Sequence, residues 1–306
     1  MTNKKYNFDL IIILGATATG KTSLAVKLAD KLNGEVISAD SRQIYKKMDI
    51  GTGKDYKEYI INNKKIPYHL IDILDPNVDY SVYQFQKDFK KSYEQIKSKN
   101  KIPILCGGTG LYIESILLNY PLTDSSPNYN LRKKMELKPI KELLEIAGEK
   151  FKKTSNESEI HNKRRIIRYI EKLNQSNKAP KQIIKINSPL ILGTNFPRDE
   201  IRAKIETRLL TRLDEGLINE VEKLINDGIS HERLEKIGLE YKFISYYLKK
   251  ELTKEELIKN LTIAIQQFAK RQLSWFRRME RRSLQINWIQ NSNINIAIDL
   301  INTYKN

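Results

Sequence analysis

FDLIIILGATATGKTSLAVKLADKL (residues 8–32) decides the fold. It opens with an apolar run interrupted only by Asp9, the pattern of a strand buried on both faces of a sheet. GATATGKT (15–22) then matches G-x-x-x-x-G-K-[ST] at every fixed position, and from Lys21 onward Leu24, Leu28 and Leu32 share one helical face. Strand, loop and helix in that order is the context in which this motif binds phosphate. Gly15 and Gly20 permit the tight turn, and the successive N–H groups from Ala16 through Thr17, Ala18 and Thr19 point at one phosphate. Lys21 adds a point charge, the Thr22 hydroxyl can ligate Mg²⁺, and the helix N-terminus adds a favourable dipole. The loop binds a di- or triphosphate.

Outward from this unit, strands and helices alternate. EVIS (35–38), a run beginning near His69 in HLIDIL, and IPILC (102–106) read as strands. Val82, Phe85, Phe89, Tyr93 and Ile96 mark a helix, and Gly110 to Leu118 another. Such alternation predicts a parallel sheet covered on both faces. Residues 121–188 contain only charged helical segments, and PLILG (189–193) reads as a returning strand. After Phe196 the chain reads as helical almost to Trp288. The expected fold is α/β: a P-loop NTPase-like parallel sheet with a helical insertion domain and a helical C-terminal part. The core comprises residues 1–120 and 189–306, and the insertion 121–188.

The composition narrows the partner. Lys and Arg number 54 against 37 Asp and Glu, a formal charge of +17, which points to nucleic acid or an anionic membrane surface. No segment approaches the ~18 apolar residues that a membrane-spanning helix needs. The single cysteine, Cys106, excludes an internal disulfide and follows an apolar run, as a buried structural thiol does. These features predict a cytoplasmic protein without a membrane partner.

SADSRQIY (38–45) places polar groups directly after a buried strand. Asp40 falls at the carboxyl end of that strand, the sheet edge where ligands bind and where the phosphate loop also lies. A carboxylate there can ligate a metal through water, bind a substrate donor, remove a proton from a nucleophile, or merely cap a turn. GGTGLY (107–112) reaches the same edge, and its Thr109 offers a hydroxyl to a leaving oxygen or a cap to the next helix. The Asp-terminated apolar strand that nucleotide-hydrolysing relatives use for Mg²⁺ is only loosely matched by LIDILDP (70–76) and VISAD (36–40).

With these motifs go HLIDILDP (69–76), YSV (80–82), KRRIIRYIE (163–171), RAKIETRL (202–209) and QQFAKRQLSWFRR (266–278). In this order, over nearly the whole chain, they resemble the tRNA dimethylallyltransferases, also called tRNA isopentenyltransferases. The resemblance implies transfer of a dimethylallyl group from dimethylallyl diphosphate to N6 of the adenosine 3′-adjacent to the anticodon, with Mg²⁺ and tRNA, through its anticodon stem-loop, as partners. It implies Asp40 as general base, Thr109 beside the bridging oxygen, Arg208 on the diphosphate, and Ser41, Arg42 and Gln43 against the target nucleotide. The expected state is a monomer.

Two helices carry clustered charge. Over 160–174, Arg164, Arg165, Arg168 and Lys172 lie opposite Ile166, Ile167, Ile170 and Leu173. Over 261–282 the apolar stripe reads Leu261, Ile265, Phe268, Trp275 and Met279. Beside it, Lys270, Arg277 and Arg281 form one ridge, and Arg271, Arg278 and Arg282 another. Such ridges are either solvated faces or tracks for RNA phosphates, and with Gln272 between them they are assigned here to tRNA. Two departures from the resembled pattern stand out: GTGKD (51–55) replaces the commoner G-T-A-K-P, and IGLEYK (237–242) is two residues longer than a G-Y-R form. The rival readings are a small-molecule kinase, an enzyme prenylating free adenine nucleotides, and an RNA-binding ATP switch; the basic helices argue against the first two and the weak metal strand against the third.

Overall fold

The computed structural model describes residues 6–122, 127–155, 157–173 and 183–305. The apolar run after Asp9 forms β1 (Leu10–Gly15), buried at every position. It is followed by β2 (Gly34–Ser38), a small antiparallel hairpin of β3 (Ile60–Ile61) and β4 (Lys64–Lys65), then β5 (Tyr68–His69), β6 (Ile102–Gly107), β7 (Pro189–Asn195) and β8 (Asn287–Gln290). Apart from the hairpin, the strands form one parallel sheet in the order β5-β2-β6-β1-β7-β8. β1 is therefore central, and the crevice at its carboxyl end opens where the strand order reverses.

Successive β1 residues face opposite sides, so each side needs cover. Ile11 and Ile13 pack with Leu24, Ala25 and Leu28 of α1 (Lys21–Leu32). Leu10, Ile12 and Leu14 pack with Phe85 and Phe89 of α2 (Val82–Ser98) and Ile113 of α3 (Gly110–Leu117). α2 starts at a capping box in which Ser81 and Gln84 satisfy one another's backbone N–H.

The described contacts divide the chain into two compact units, Met1–Tyr120 with Ile183–Asn306, and Pro121–Gln182. The second holds α4 (Tyr129–Glu136), α5 (Ile140–Thr154), α6 (Glu157–Ile160) and α7 (Lys163–Leu173) around Leu143, Phe151, Ile166 and Ile170. Glu171 is fully buried there. Burial alone would raise its carboxyl, but hydrogen bonds from Arg132, Arg168 and the Asn128 N–H outweigh it and hold it at about 2. Leu173, expected on the apolar face, is 57% exposed because it ends the helix.

The first unit ends in α8 (Arg198–Asp214), α9 (Leu217–Asn226), α10 (His231–Ile237), α11 (Leu239–Leu248), α12 (Lys254–Arg281) and α13 (Ile294–Asn302). No helix among the described residues is long and apolar enough to cross a membrane. Two local expectations change and a third is extended. HLIDIL is a strand only to His69, because Leu70 and Asp72 take φ +62° and +61° and the chain turns to pair its Ile73 N–H with the Ile44 carbonyl. The helices do run to Arg281, but a strand without a sequence signal, β8, then joins the sheet beside β7. The buried stripe of α12 runs through Leu261, Ile265, Ala269, Gln272, Phe276 and Met279, while Phe268 is 39% exposed.

Candidate active site

The loop after β1 is shaped by tight contacts. A Cβ on Gly15 would lie 2.1 Å from Thr194 Oγ1 on β7, so only glycine lets the strands approach there. Thr19 is buried and its Oγ1 bonds the Ala16 carbonyl at 2.8 Å and Thr194 Oγ1 at 2.6 Å. These bonds turn the loop back over its own strand. α1 then starts without a side-chain cap and without an acid in its first turn, leaving the first-turn N–H groups to an anion. Lys21 Nζ donates to the Ala16 carbonyl at 2.5 Å. Burial, reinforced by Arg208, lowers the Lys21 ammonium to about 8, with Cys106 and Asp40 pulling the other way. Cys106 is buried behind the loop and its thiol is pushed up to about 12 by burial, as a structural thiol requires.

Asp40 and Thr109 meet across neighbouring strands. Ala39 follows β2 and donates its N–H to the Cys106 carbonyl at 2.7 Å, while its own carbonyl accepts from the Thr109 N–H at 3.2 Å. Thr109 stands at the N-cap position of α3 but makes no side-chain cap bond; its Oγ1 accepts from the Ser41 N–H at 3.0 Å. Asp40 Oδ1 accepts from the Arg42 N–H at 2.8 Å, which closes a turn, and Oδ2 has no hydrogen-bond partner among the described residues. Gln43 is held from both ends: its Oε1 accepts from Ser38 Oγ at 3.0 Å and its Nε2 donates to the Gly53 carbonyl at 2.8 Å.

Two helices close the other side. Arg208 of α8 donates through Nη2 to Thr17 Oγ1 at 2.5 Å. Burial and the neighbouring Arg212 lower its guanidinium to about 10, so it stays charged at neutral pH. From α12, Gln272 Oε1 accepts from the Thr17 N–H at 2.8 Å and its Nε2 donates to the Gly108 carbonyl at 2.9 Å. These elements enclose a cavity of about 600 Å³ lined by Lys21, Thr22, Asp40, Thr109 and Arg208. Ser41, Arg42, Gln43, Arg271 and Gln272 also line it. The arrangement can hold an anionic leaving group at the loop and present a carboxylate to an acceptor about one strand away.

A family described as IPP transferase matches residues 43–279. The chain belongs to this family. Among the relatives of this chain, tRNA dimethylallyltransferase 2 of Phocaeicola vulgatus is 47% identical over 285 residues, 92% of each chain. tRNA dimethylallyltransferase 1 of Parabacteroides distasonis is 48% identical over 286 residues, again 92% of each. A solved tRNA isopentenylpyrophosphate transferase of Bacillus halodurans has 31% identity and a TM-score of 0.68, covering 96% of this chain and 95% of that one.

Not every residue assigned to RNA by sequence is presented alike. Lys270, Arg271 and Arg277 are exposed on α12. Arg278 is turned inward: it pairs with the fully buried Glu114 of α3 at 2.5 Å and stacks on Trp275 at 4.0 Å, and Arg282 pairs with the same Glu114 at 2.9 Å. Arg164 and Arg165 lie exposed on α7 of the second unit, whereas Arg168 bonds Glu171. Gln272 is 7% exposed and ties the loop to Gly108, a role its sequence neighbourhood of cations conceals. Thr194 and Arg212 carry no sequence signal at all, and only the folded strand and helix bring the first beneath the phosphate loop and the second to the cleft.

Proposed function

We propose that this protein transfers the dimethylallyl group of dimethylallyl diphosphate to N6 of the adenosine 3′-adjacent to the anticodon of tRNA. One observation carries the reading: an uncapped phosphate loop, an open carboxylate oxygen and the cations Lys21 and Arg208 line a single cavity at the carboxyl ends of β1, β2 and β6. The names of its relatives support the same reaction.

In this reading the diphosphate lies against the N–H groups of Ala16 to Thr22, with Lys21 and Arg208 opposing its charge. The N6 lone pair forms a bond to C1 of the dimethylallyl group as the C1–O bond breaks, and that electron pair leaves on the diphosphate. Asp40 Oδ2 takes the N6 proton, which an amine conjugated with the ring gives up more readily to a positioned base. Charge growing on the bridging oxygen is met by the loop N–H groups, Thr109, Lys21 and Arg208, fixed before reaction.

Mg²⁺ fits this donor set. Thr22 and Asp40 line the cavity, and no cluster of three His, Cys, Asp or Glu exists among the described residues. Mg²⁺ takes few protein ligands and completes its shell with phosphate oxygens and water. Thr22 Oγ1 would hold it, and it would supply charge neutralisation to the diphosphate. In this reading the RNA phosphates run along the exposed Lys270, Arg271 and Arg277 of α12, contacts that would offset the few kcal/mol needed to unstack the target base; Arg164 and Arg165, exposed on the second unit, are further candidates for phosphate contact.

The test is transfer of label from dimethylallyl diphosphate to an unmodified anticodon stem-loop with Mg²⁺, by the native protein and Asp40→Asn. Label in the RNA that Asp40→Asn reduces at least a hundredfold is expected. Equal transfer by both proteins removes Asp40 as base, and ATP consumption without transfer would establish the kinase reading instead.

A further inference from the structure

The cleft contains a cation to which the reaction above gives no task. Arg212 lies one helical turn beyond Arg208 on α8 and lines the same cavity. The residue is only 7% exposed. Among the described residues its guanidinium makes no hydrogen bond, and the one carboxylate within 4 Å, that of Asp55, stands 3.9 Å away and is itself 56% exposed. A guanidinium almost wholly buried in a cleft, with no protein acceptor for its N–H donors, is matched to an anionic ligand. The site is built: α8 fixes the stem, and Gly53, with φ +66°, forms a wall on which a Cβ would stand 2.1 Å from Arg212 Nη2.

Its position separates it from the leaving group. Arg208 bonds Thr17 of the phosphate loop and so belongs to the diphosphate end. Arg212 rests on Gly53, whose carbonyl receives the Gln43 Nε2 bond, so it stands beside the segment that starts at Asp40. The acids facing it are Asp55 and Glu58 from that segment and Glu240 from α11; Arg208 faces it from its own helix. A free trianion already surrounded by the loop N–H groups, Lys21 and Arg208 does not need this further cation, but a nucleotide drawn into the cleft brings a phosphate with it on the acceptor side.

We propose that Arg212 binds a backbone phosphate of the RNA at or next to the nucleotide being modified. This rests on the prenyl-transfer reading of the cleft. A planar guanidinium seated on a glycine suits two phosphate oxygens at once, which a lysine ammonium does not.

The test compares the native protein with Arg212→Met, which keeps the packed stem, and Arg212→Lys, which keeps the charge. An anticodon stem-loop is titrated at several salt concentrations, and inhibition by inorganic diphosphate is measured in parallel. Arg212→Met is expected to weaken RNA binding at least tenfold and to lower the slope of log affinity against log salt by about 0.7, the loss of one single-strand phosphate contact. Diphosphate inhibition should stay within twofold. Arg212→Lys should restore the slope but not the full affinity. Weakened diphosphate inhibition with RNA binding unchanged, in either variant, overturns the proposal in favour of a leaving-group arginine. A lower melting temperature with an unchanged slope overturns it in favour of a strut under the Gly53 loop. If the native protein fails to modify the RNA at all, the underlying reaction falls, a result visible before any variant is compared.

Discussion

Gln272 Oε1 accepts the Thr17 backbone N–H at 2.8 Å, so a helix 255 residues away in sequence sets the phosphate loop. The same carboxamide donates to the Gly108 carbonyl at 2.9 Å, where a Cβ on Gly108 would come within 2.2 Å of Gln272 Nε2. A carboxylate, which accepts only, can keep the first bond but not the second. Gln272→Glu is therefore expected to leave the Gly108 carbonyl unmet and to bring negative charge to the diphosphate end. Loss of the buried bond should lower stability by about 1–3 kcal/mol. Chemical denaturation should show this loss, and inorganic diphosphate should inhibit at least tenfold more weakly, while RNA affinity stays near native. A variant that loses RNA affinity alone would return Gln272 to the RNA-binding surface that its neighbours suggest.

Adjacent arginines on α12 should behave oppositely. Arg277 is exposed and meets solvent, whereas Arg278 bonds the buried Glu114 and lies over Trp275. Arg277→Ala should lower the salt slope of RNA binding by about 0.7 with no change in melting temperature. Arg278→Ala leaves Glu114 to Arg282 alone and should lower the melting temperature by several degrees, with the slope unchanged. Calorimetry and RNA titration on the two variants read both quantities, and a slope change in Arg278→Ala would place that residue on the RNA.

The elements around the phosphate loop were legible in the sequence because each announces itself locally. β1 is an unbroken apolar run, α1 has its leucine face, and the glycines and lysine between them keep fixed spacing. Asp40 and Thr109 were found from the strand ends they follow. What escaped depends on distant partners. β8 has four residues and pairs only because β7 is already in place. HLIDIL has strand composition, but Lys54 draws Asp72 into an ion pair at 2.7 Å and the chain bends there. The α12 stripe was misplaced because Gln272, a polar residue, occupies a buried position that the apolar pattern assigns elsewhere.

Lys21 gives the site a pH dependence with a definite sign. Its pKa is lowered to about 8 from 10.5, so the ammonium is present below that pH and disappears as pH rises through it. Diphosphate binding should hold below about pH 8 and weaken above it. Stability moves the other way: between about 8 and 10.5 the unfolded chain binds a proton that the folded chain does not, so this residue's contribution to stability rises with pH there. Lys21→Arg keeps its charge throughout this range. The ratio of inhibition constants for diphosphate, native over variant, should climb between pH 7.5 and 9.5, a comparison in which the ligand's own titration cancels. A flat ratio would mean that Lys21 keeps its proton in the free protein.

The replacement of G-T-A-K-P by GTGKD becomes intelligible through Arg212. An alanine at 53 would place its Cβ 2.1 Å from the Arg212 Nη2, and φ +66° further disfavours any side chain there. Asp55 in the same motif supplies the carboxylate nearest to that guanidinium, at 3.9 Å. Gly53 and Arg212 should therefore be energetically coupled. Gly53→Ala alone is expected to be destabilising, with a steric part from the arginine and a backbone part of about 1–2 kcal/mol from the left-handed conformation. Combining it with Arg212→Met should recover the steric part and leave the backbone part, giving a non-additivity of about 0.5–3 kcal/mol in a double-mutant cycle measured by urea unfolding. Strict additivity would mean that Arg212 swings clear of the added methyl group and that the glycine serves the turn alone.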